Sequence, residues 1–364
     1  MTNKKYKILI MSAPIGSGHA LAAEALKDEF KKSYNCDVIL GSAFDFFPKF
    51  IGKIVLKSYF SVLKYVPGLY EIAYKWGNNP SGSLWLRNII NNILAYLADG
   101  YLRKVKPDVV IATHATPAGI ISAYKKKHKD AKIILASVVT DFTIHKWWIC
   151  EGTDAYFLAA DNLKPAIQKK QGQNLFFYGI PVRRAFRQEY SRQELRKKFG
   201  WQDDTAICLL MGGGEGLLPM KEILGEVSGR IPVKMRFVAI TGRNKDLASE
   251  LKNQYPDVEV YGFTEAIPEF MHAADIIISK AGGLTAAETL TTCLSYIIYK
   301  PLPGQEEANA EYLKSSGAAI IAKTPNEVLL AMSNYSIAKA KQRQKLGRPE
   351  AAPDIAKAVI NMLD

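Results

Sequence analysis

The sequence predicts an α/β protein of two Rossmann-like, doubly wound parallel-sheet domains that face a cleft. Short apolar, β-branched runs alternate with helix-length amphipathic stretches, which is typical of parallel strands joined by helices. This alternation stops at a polar, charged stretch and then begins again, and each half opens with an apolar strand that leads into a glycine-rich loop. The chain has 364 residues, which is more than one ordinary core holds, so two domains are expected.

The strands of the first half are the apolar runs KILIMS, CDVILGSA, PDVVIATHA, AKIILASVV, DAYFLAA and NLFFYGIPV. A helix over Ala20–Lys32 connects the first two runs. The stretch Pro181–Gln188 breaks the pattern and is interpreted as the interdomain linker. The expected N-terminal domain therefore spans residues 1–183.

The second half begins with the charged helix SRQELRKKFG, and its strands are TAICLLM, MRFVAI, VEVYGF, ADIIIS, SYIIY and AAIIAK. The expected C-terminal domain spans residues 184–349. A last helix at about 350–364 is expected to be able to pack back on the N-terminal domain.

The glycine-rich loops suggest anion binding, because glycine lets backbone N–H groups and a helix amino end approach a phosphate. The first loop, APIGSGH, contains Gly16 and Gly18, and the second is GGGEG. Neither completes the G-x-G-x-x-G dinucleotide motif, since Leu21 stands where the third glycine would be. The alternative interpretation of each loop is a tight turn between a strand and a helix.

Composition narrows the classes of function. The net charge of +13 favours an anionic partner, which can be nucleic acid, an acidic membrane surface or a phosphorylated ligand; the alternative is a generally basic surface. The four cysteines are far apart, which argues against a disulfide framework or a zinc site and fits a reducing cytosol. No signal-peptide core and no apolar run of membrane-spanning length is found, so a cytosolic protein is expected.

Eight sequence blocks, in this order, resemble the diacylglycerol glycosyltransferases: GSGHALAAEAL, TDFTIHKWW, YGIPVRRAF, LLMGGGEGLLP, ITGRNKDLASEL, YGFTEAIPEFM, SKAGGLTAAETL and PLPGQEEANAEYL. That family includes the monogalactosyldiacylglycerol synthases and the bacterial diacylglycerol glucosyltransferases. A more distant likeness is to the N-acetylglucosaminyltransferase that completes the lipid II precursor. The resemblance covers about Lys7 to Ala319. It implies a GT-B fold, inverting transfer from a UDP-sugar, no metal, and a lipid acceptor at the membrane face.

The resemblance places the UDP-sugar in the C-terminal domain, where backbone N–H groups of the GGGEG loop would hold the diphosphate. It implies that Glu288 accepts hydrogen bonds from the ribose hydroxyls and that the main chain around Phe263 frames the uracil. The full set of expected donor-binding residues is Gly213, Gly214, Gly216, Gly242, Arg243, Phe263, Thr264, Gly282, Gly283, Thr285, Glu288, Gln305, Glu306 and Asn309. No D-x-D motif and no compact ligand cluster is found, so neither a metal nor a cofactor is expected, and the UDP-sugar is a co-substrate.

Transfer to a neutral hydroxyl needs a base, and His19 in the GSGH loop is the first candidate. An imidazole titrates near pH ~6.5, and the amino end of a helix favours its neutral form further. Asp141, at the end of the apolar run VVTD, is the rival or the helper. His114 and His145 are expected to line the acceptor site together with the loop glycines Gly16 and Gly18; for His114, the alternative is a satisfied core histidine.

Residues 45–76 are expected to contact the membrane. This segment has nine aromatic residues and five lysines against two acids. On a helix, Lys49, Lys53, Lys57 and Lys64 would fall within an arc of roughly 80° beside an apolar face, which is typical of an interfacial helix. The alternative is a helix that covers the core with a solvated lysine stripe. Nucleic acid is not expected as a partner, because no nucleic-acid-binding motif accompanies the basic residues.

The combined expectation is an inverting hexosyltransferase that acts on diacylglycerol at the cytoplasmic face of the membrane. On the grounds of the resemblance, glucose is the first choice for the transferred sugar and galactose the second. One alternative is transfer of N-acetylglucosamine to a polyprenyl-linked saccharide. Another is a nucleotide-binding oxidoreductase, against which Glu288 and the block GQEEAN argue. The sequence sets no expectation for the oligomeric state.

Overall fold

The chain folds into two compact units. The computed structural model describes residues 5–13, 17–46, 84–167, 173–231, 234–333 and 346–364. Unit 1 comprises residues 1–183, 303–305 and 350–364. Unit 2 comprises residues 184–302 and 306–349.

Unit 1 contains a six-stranded sheet of order β2-β1-β3-β4-β5-β6 in which every neighbouring pair is parallel. Its strands are β1 Tyr6–Ser12, β2 Cys36–Ser42, β3 Val109–Ala112, β4 Ile134–Val138, β5 Ala155–Phe157 and β6 Asn174–Phe176. The helices that belong to this unit are α1 Ser17–Ser33, α2 Leu84–Val105, α3 Ala115–Lys127 and α11 Ala351–Leu363. Strand β3 is apolar and buried over its whole length, and β4 is buried over all but its first residue, as expected for a parallel sheet with helices on both faces.

The core of unit 1 joins the two ends of the chain. Ile8 and Phe30 are fully buried together with Ile355 and Val359 of α11. The hydroxyl of Tyr6 donates to the backbone carbonyl of Leu363 at 3.1 Å and lies 2.9 Å from the Asp364 carboxylate. Helix α11 is therefore a structural part of unit 1.

Unit 2 contains a second parallel sheet of order β12-β11-β10-β7-β8-β9. Its strands are β7 Ala206–Met211, β8 Met235–Ile240, β9 Glu259–Tyr261, β10 Ile276–Ser279, β11 Ser295–Tyr299 and β12 Ala319–Ala322. The remaining helices are α4 Arg192–Phe199, α5 Met220–Val227, α6 Lys245–Gln254, α7 Ile267–Ala273, α8 Gly283–Thr291, α9 Gln305–Ser315 and α10 Pro325–Ser333. Short 3₁₀ turns cover Lys146–Trp148 and Asp161–Ala166 in unit 1 and Arg184–Arg187 in unit 2.

Both sheets reverse their strand order at one point. In unit 1 the order reverses between β1 and β3, and in unit 2 between β7 and β10. Ligands of open α/β sheets bind beyond the carboxyl ends of the strands at this switch point. The GSGH stretch follows β1, and the GGGEG and SKAGG stretches follow β7 and β10. The topology thus brings the glycine-rich stretches of the sequence to these positions.

The prediction of two doubly wound parallel sheets is confirmed, with differences at element ends. Helix α1 begins at Ser17 rather than Ala20. The expected strand NLFFYGIPV pairs only over Asn174–Phe176, and Gly179 then turns the chain with a φ of 98°.

Some expectations fall outside the described residues. These are Gly16 and the four lysines of the expected interfacial helix, Lys49, Lys53, Lys57 and Lys64. Among the helices that the structure describes, none has the length and apolar character that a membrane span requires.

Candidate active site

The site of unit 1 is built around His19, in the first turn of α1. Its Nδ1 atom lies 2.9 Å from the backbone carbonyl oxygen of Thr113 and 2.6 Å from Oγ1 of Thr140. Burial lowers the pKa of His19 to about 4, and the hydrogen bond with Thr113 offsets part of that effect. The imidazole is therefore neutral near pH 7.

His114 stands beside His19. The two rings are nearly perpendicular, at 83°, with centroids 4.8 Å apart. His114 is also the N-cap residue of α3, where its Nδ1 atom accepts from the backbone N–H of Thr116 at 3.1 Å. Burial, and then the neighbouring His19, lower the pKa of His114 well below its usual value. The pair is thus two neutral imidazoles, one of which caps a helix.

Two further residues expected on the acceptor side, His145 and Gly18, lie in described parts of unit 1. His145 caps the 3₁₀ turn Lys146–Trp148 by accepting from the N–H of Trp147 at 3.2 Å. Gly18 is the second residue of α1 and is partly buried.

Asp141 is almost completely buried at the end of the segment that follows β4. Its carboxylate accepts a hydrogen bond from the side-chain amide of Gln305. The segment 303–305 belongs to unit 1, so both residues lie in the same unit. Gln305 is one of the expected donor-binding residues, and in this structure its side-chain amide is bound to the Asp141 carboxylate.

In unit 2, two glycine turns pack against each other. Gly213, Gly216 and Gly242 have φ values of 72°, 63° and 60°, in the left-handed region that favours glycine. The N–H of Arg243 donates to the carbonyl oxygen of Gly214 at 2.9 Å, and a β-carbon on Gly216 would lie 2.2 Å from the carbonyl oxygen of Thr241. Beside Gly213, by contrast, the space is open.

The amino end of α8 lies at the switch point of the unit 2 sheet. Gly282 is the N-cap residue and makes no side-chain capping bond, and Gly283 is the first residue of the helix. Because no side chain caps it, the N–H groups of the first turn can bind an anion. Thr285 lies partly exposed in that turn, and Glu288 follows one turn later, buried and engaged with protein partners.

Glu306 and Asn309, expected to contact the sugar, make protein contacts in this structure. Oε1 of Glu306 lies 2.9 Å from Nζ of Lys280, and Oε2 accepts from the N–H of Leu302 at 3.0 Å. Asn309 is fully buried, and its amide donates to the carbonyl oxygen of Ala281 at 3.1 Å. Both side chains thus support the loop that leads to α8, and Asn309 has no surface exposed to a ligand.

The expected uracil-binding residues lie at the surface. The guanidinium of Arg243 stacks 5.0 Å from the ring centroid of Phe263, which is 62% exposed, and donates to Glu215 at 2.9 Å. Oγ1 of Thr264 accepts from the N–H of Ala266 at 3.2 Å. An exposed aromatic ring stacked by a cation offers a flat face to a planar ligand.

The described part of the chain contains no group of three or more His, Cys, Asp and Glu side chains suited to a metal ion. Thr113, Thr140 and Lys280 are functional candidates that sequence reasoning did not select. Each directly follows a buried strand or lies two residues beyond it, at the edge where the site forms. This position was the available signal.

Comparison with known proteins identifies the family of this chain. Residues 19–182 match the family described as monogalactosyldiacylglycerol (MGDG) synthase, and residues 207–352 match the glycosyltransferase family 28 C-terminal domain. The chain is 30% identical over 385 residues to a probable monogalactosyldiacylglycerol synthase 2, chloroplastic, from Oryza sativa subsp. indica, covering 97% of this chain and 80% of the relative. It is 28% identical over 340 residues to a processive diacylglycerol beta-glucosyltransferase from Bacillus pumilus, covering 92% and 87%.

Among solved structures, MurG from Acinetobacter baumannii has a TM-score of 0.65 and 18% identity, covering 98% of this chain and 99% of that one. This similarity shows the fold, and the predicted GT-B architecture is confirmed. The switch-point sites, the family matches and the identity to the Oryza relative agree. The chain therefore belongs to the diacylglycerol glycosyltransferase family and is a glycosyltransferase.

Proposed function

We propose that this enzyme transfers a hexose from a UDP-sugar to the hydroxyl of 1,2-diacylglycerol, with inversion at the anomeric carbon. Glucose is the proposed sugar of the donor, in preference to galactose. The names of the relatives support a diacylglycerol acceptor, since one is a diacylglycerol beta-glucosyltransferase and the other a probable monogalactosyldiacylglycerol synthase.

The observation that carries the donor half of the proposal is that the uncapped amino end of α8 and the GGGEG turn follow neighbouring strands, β10 and β7, of unit 2. Backbone N–H groups and the positive end of the helix dipole stabilise a diphosphate, and they favour its extra charge as it leaves. Glu288, one turn into α8, is proposed to bind the ribose hydroxyls. In this proposal, no metal or cofactor takes part, and the UDP-sugar is a co-substrate.

His19 is proposed as the base. The hydroxyl oxygen of the acceptor attacks the anomeric carbon while its proton passes to the neutral imidazole, and the bond from that carbon to the diphosphate oxygen breaks. The electrons of that bond leave on UDP. The pKa of about 4 means that the imidazole is not already protonated at neutral pH. Asp141, which accepts from Gln305, is proposed as a helper that orients the acceptor side.

An exposed apolar face of α2 supports membrane contact. Trp85, Ile89, Ile93, Tyr96 and Leu97 are all more than a third exposed. At 100° per residue they lie within roughly 120° of one another, opposite the face that packs into the protein. Aromatic and aliphatic side chains of this kind insert at the acyl boundary of a bilayer.

Cations flank this face. Nζ of Lys127 lies 4.9 Å from the ring centroid of Tyr96, and Lys126 is exposed one residue earlier. Lysine and arginine near an anionic leaflet contribute about 1 kcal/mol each. We propose that the enzyme works at the cytoplasmic face of the membrane as a peripheral protein, with the anionic surface as a partner and without nucleic acid.

The test is a product assay with the full chain. Radiolabelled UDP-glucose, UDP-galactose and UDP-N-acetylglucosamine are each incubated with vesicles that contain diacylglycerol, and the lipids are separated by chromatography. A labelled glycolipid from UDP-glucose is expected. The proposal would be contradicted if only an added polyprenyl-linked saccharide became labelled. It would also be contradicted if no product formed and calorimetry showed that the protein binds NAD rather than UDP.

A variant separates the two halves of the proposal. His19→Ala is expected to reduce turnover at least about 100-fold, in the range of general-base catalysis, and to leave the affinity for UDP unchanged because His19 lies in unit 1. Normal turnover of this variant would remove His19 as the base while leaving the donor site intact.

A further inference from the structure

Three strand ends meet at the imidazole of His19. His19 follows β1, Thr113 follows β3 directly, and Thr140 lies two residues beyond β4. The strands β1, β3 and β4 are neighbours in the sheet. For this reason Thr113 and Thr140, which follow His19 by 94 and 121 positions in the sequence, both contact its ring.

The Thr113 carbonyl decides which ring nitrogen carries the proton. A carbonyl oxygen only accepts, so the Nδ1 atom 2.9 Å away must be the protonated nitrogen of the neutral ring. The reverse tautomer would place two lone pairs against each other. Nε2 is then the nitrogen with the free lone pair, and it is the atom that can take a proton from a substrate.

Thr140 completes this arrangement. Its Oγ1 atom lies 2.6 Å from Nδ1 and 3.4 Å from the Thr113 carbonyl oxygen. With the proton on Nδ1, the one N–H is shared between the carbonyl oxygen and the Thr140 hydroxyl, and that hydroxyl can donate its own hydrogen toward the carbonyl. The hydroxyl of Thr113 in turn donates to the backbone carbonyl of His19 at 3.0 Å. Both the ring and the main chain of His19 are therefore held.

We propose that Thr140 is a positioning residue: together with the Thr113 carbonyl it holds the proton on Nδ1 of His19 and presents Nε2 as the base. In this site a hydroxyl and a carbonyl take the place behind the imidazole that a carboxylate occupies in a histidine–carboxylate pair. The inference rests on the proposed role of His19, but the arrangement itself can be tested without any reaction.

The two partners of Nδ1, a carbonyl oxygen and a hydroxyl, are uncharged, and this bears on how the protonation of His19 depends on pH. Of the titratable groups that the structure describes, His114 contacts the ring edge-on at 4.8 Å, and Asp141 is the residue after Thr140. Burial lowers the pKa of His19 more than the hydrogen bond to the Thr113 carbonyl raises it, which leaves the pKa at about 4. The base stays deprotonated down to mildly acidic pH, so turnover is expected to fall only as the pH drops below about 5.

The direct test is nitrogen NMR of the full chain with ¹⁵N-labelled histidine, with the His19 signals assigned from His19→Asn. The expected result at pH 7 is a protonated Nδ1 and an unprotonated Nε2. An Nε2-protonated ring would overturn the inference, whatever the turnover. Loss of turnover in His19→Ala is a separate result, so the failure of the base assignment and the failure of this arrangement are distinguishable.

Three substitutions at position 140 test the role of the hydroxyl. Thr140→Val keeps the shape and is expected to lower kcat about 10-fold with KM for the UDP-sugar unchanged. Thr140→Ser restores the hydroxyl and is expected to stay within about twofold of wild type. Thr140→Asp places a carboxylate at Nδ1, and it is expected to raise the pKa of His19 by about 1–3 units and to shift the acid limb of kcat equally.

Thr143→Val is the matched control, since this buried hydroxyl on the same segment makes no hydrogen bond within the described residues. It is expected to keep kcat and the tautomer of His19. Equal kcat losses in Thr140→Val and Thr140→Ser, or a His19 pKa that does not rise in folded Thr140→Asp, would overturn the role of Thr140.

Discussion

The backbone N–H of Arg243 donates to the carbonyl oxygen of Gly214 at 2.9 Å, and this bond joins the two glycine turns of unit 2. The packing there leaves no room for a side chain. A β-carbon on Gly242 would lie 2.4 Å from the same carbonyl oxygen, and the φ of Gly242 is 60°. The shape of the GGGEG turn therefore depends on a glycine about 30 residues further along the chain.

Gly242→Ala is expected to lower the free energy of unfolding by more than about 3 kcal/mol, because it adds a backbone clash to left-handed strain. Gly213→Ala is the matched control. Its φ is 72°, but the space beside it is open, so only the strain of about 1–2 kcal/mol is expected. Urea unfolding of both variants provides the measurement, and equal losses would contradict the role of the contact.

The ion pair of Lys280 and Glu306 is expected to stabilise the loop before α8. The two side chains are only 16% and 21% exposed, and Glu306 also accepts from Leu302. Removing one partner leaves the other charge poorly solvated, so Glu306→Gln and Lys280→Met are each expected to cost about 2–3 kcal/mol.

The double variant Lys280→Met/Glu306→Gln is expected to be more stable than the sum of the single losses predicts, by about 1–2 kcal/mol. The measurement is a double-mutant cycle by urea unfolding. Additive losses would mean that the two charges do not interact in solution.

Acid is expected to destabilise the protein through the partly buried imidazoles of His19 and His114. The pKa of His19 is lowered to about 4 and that of His114 is lowered too, whereas unfolded histidine titrates near pH ~6.5. Between these values the unfolded chain binds more protons than the folded chain. The stabilising contribution is complete above pH ~6.5 and is lost as the pH falls toward about 4.

For His19 alone, this loss is expected to be about 2–3 kcal/mol. The measurement is the difference in unfolding free energy between wild type and His19→Asn at pH 7, 5.5 and 4.5. Because carboxylates titrate in both proteins, only this difference reports His19. A difference that stays constant across the three pH values would show that the partly buried imidazole does not cause the destabilisation.

The apolar face of α2 is expected to bind anionic vesicles. Ile89 and Ile93 are 47% and 57% exposed, and replacing both with serine removes apolar area without touching the buried side of the helix. The double variant is expected to weaken binding to phosphatidylglycerol vesicles at least about 10-fold in a flotation assay, with its melting temperature unchanged.

Ile320→Ser is the matched control, since Ile320 is 41% exposed but lies on β12 of unit 2. Its vesicle binding is expected to equal that of wild type. If both variants bind equally well, the α2 face is not the surface that contacts the lipid.

The sequence by itself determined the two parallel sheets, and it predicted the sheet edge at which the candidate site residues lie. Strands buried on both faces appear as continuous apolar runs, and the loops that follow them in a doubly wound sheet must lie at the carboxyl edge. His19 and the loop glycines could be selected in this way because they follow their strands closely in the chain, whereas Glu288 was selected from the family resemblance. Family resemblance then supplied the chemistry.

The partners of these residues were decided only by the tertiary structure. Thr113 and Thr140 contact His19 because β1, β3 and β4 are neighbours in the sheet, an order that local periodicity does not encode. The buried position of Asn309 has the same origin. Local sequence determines which residues reach the edge of a sheet, whereas the order of its strands determines which of them meet, because hydrogen bonds form between neighbours in space.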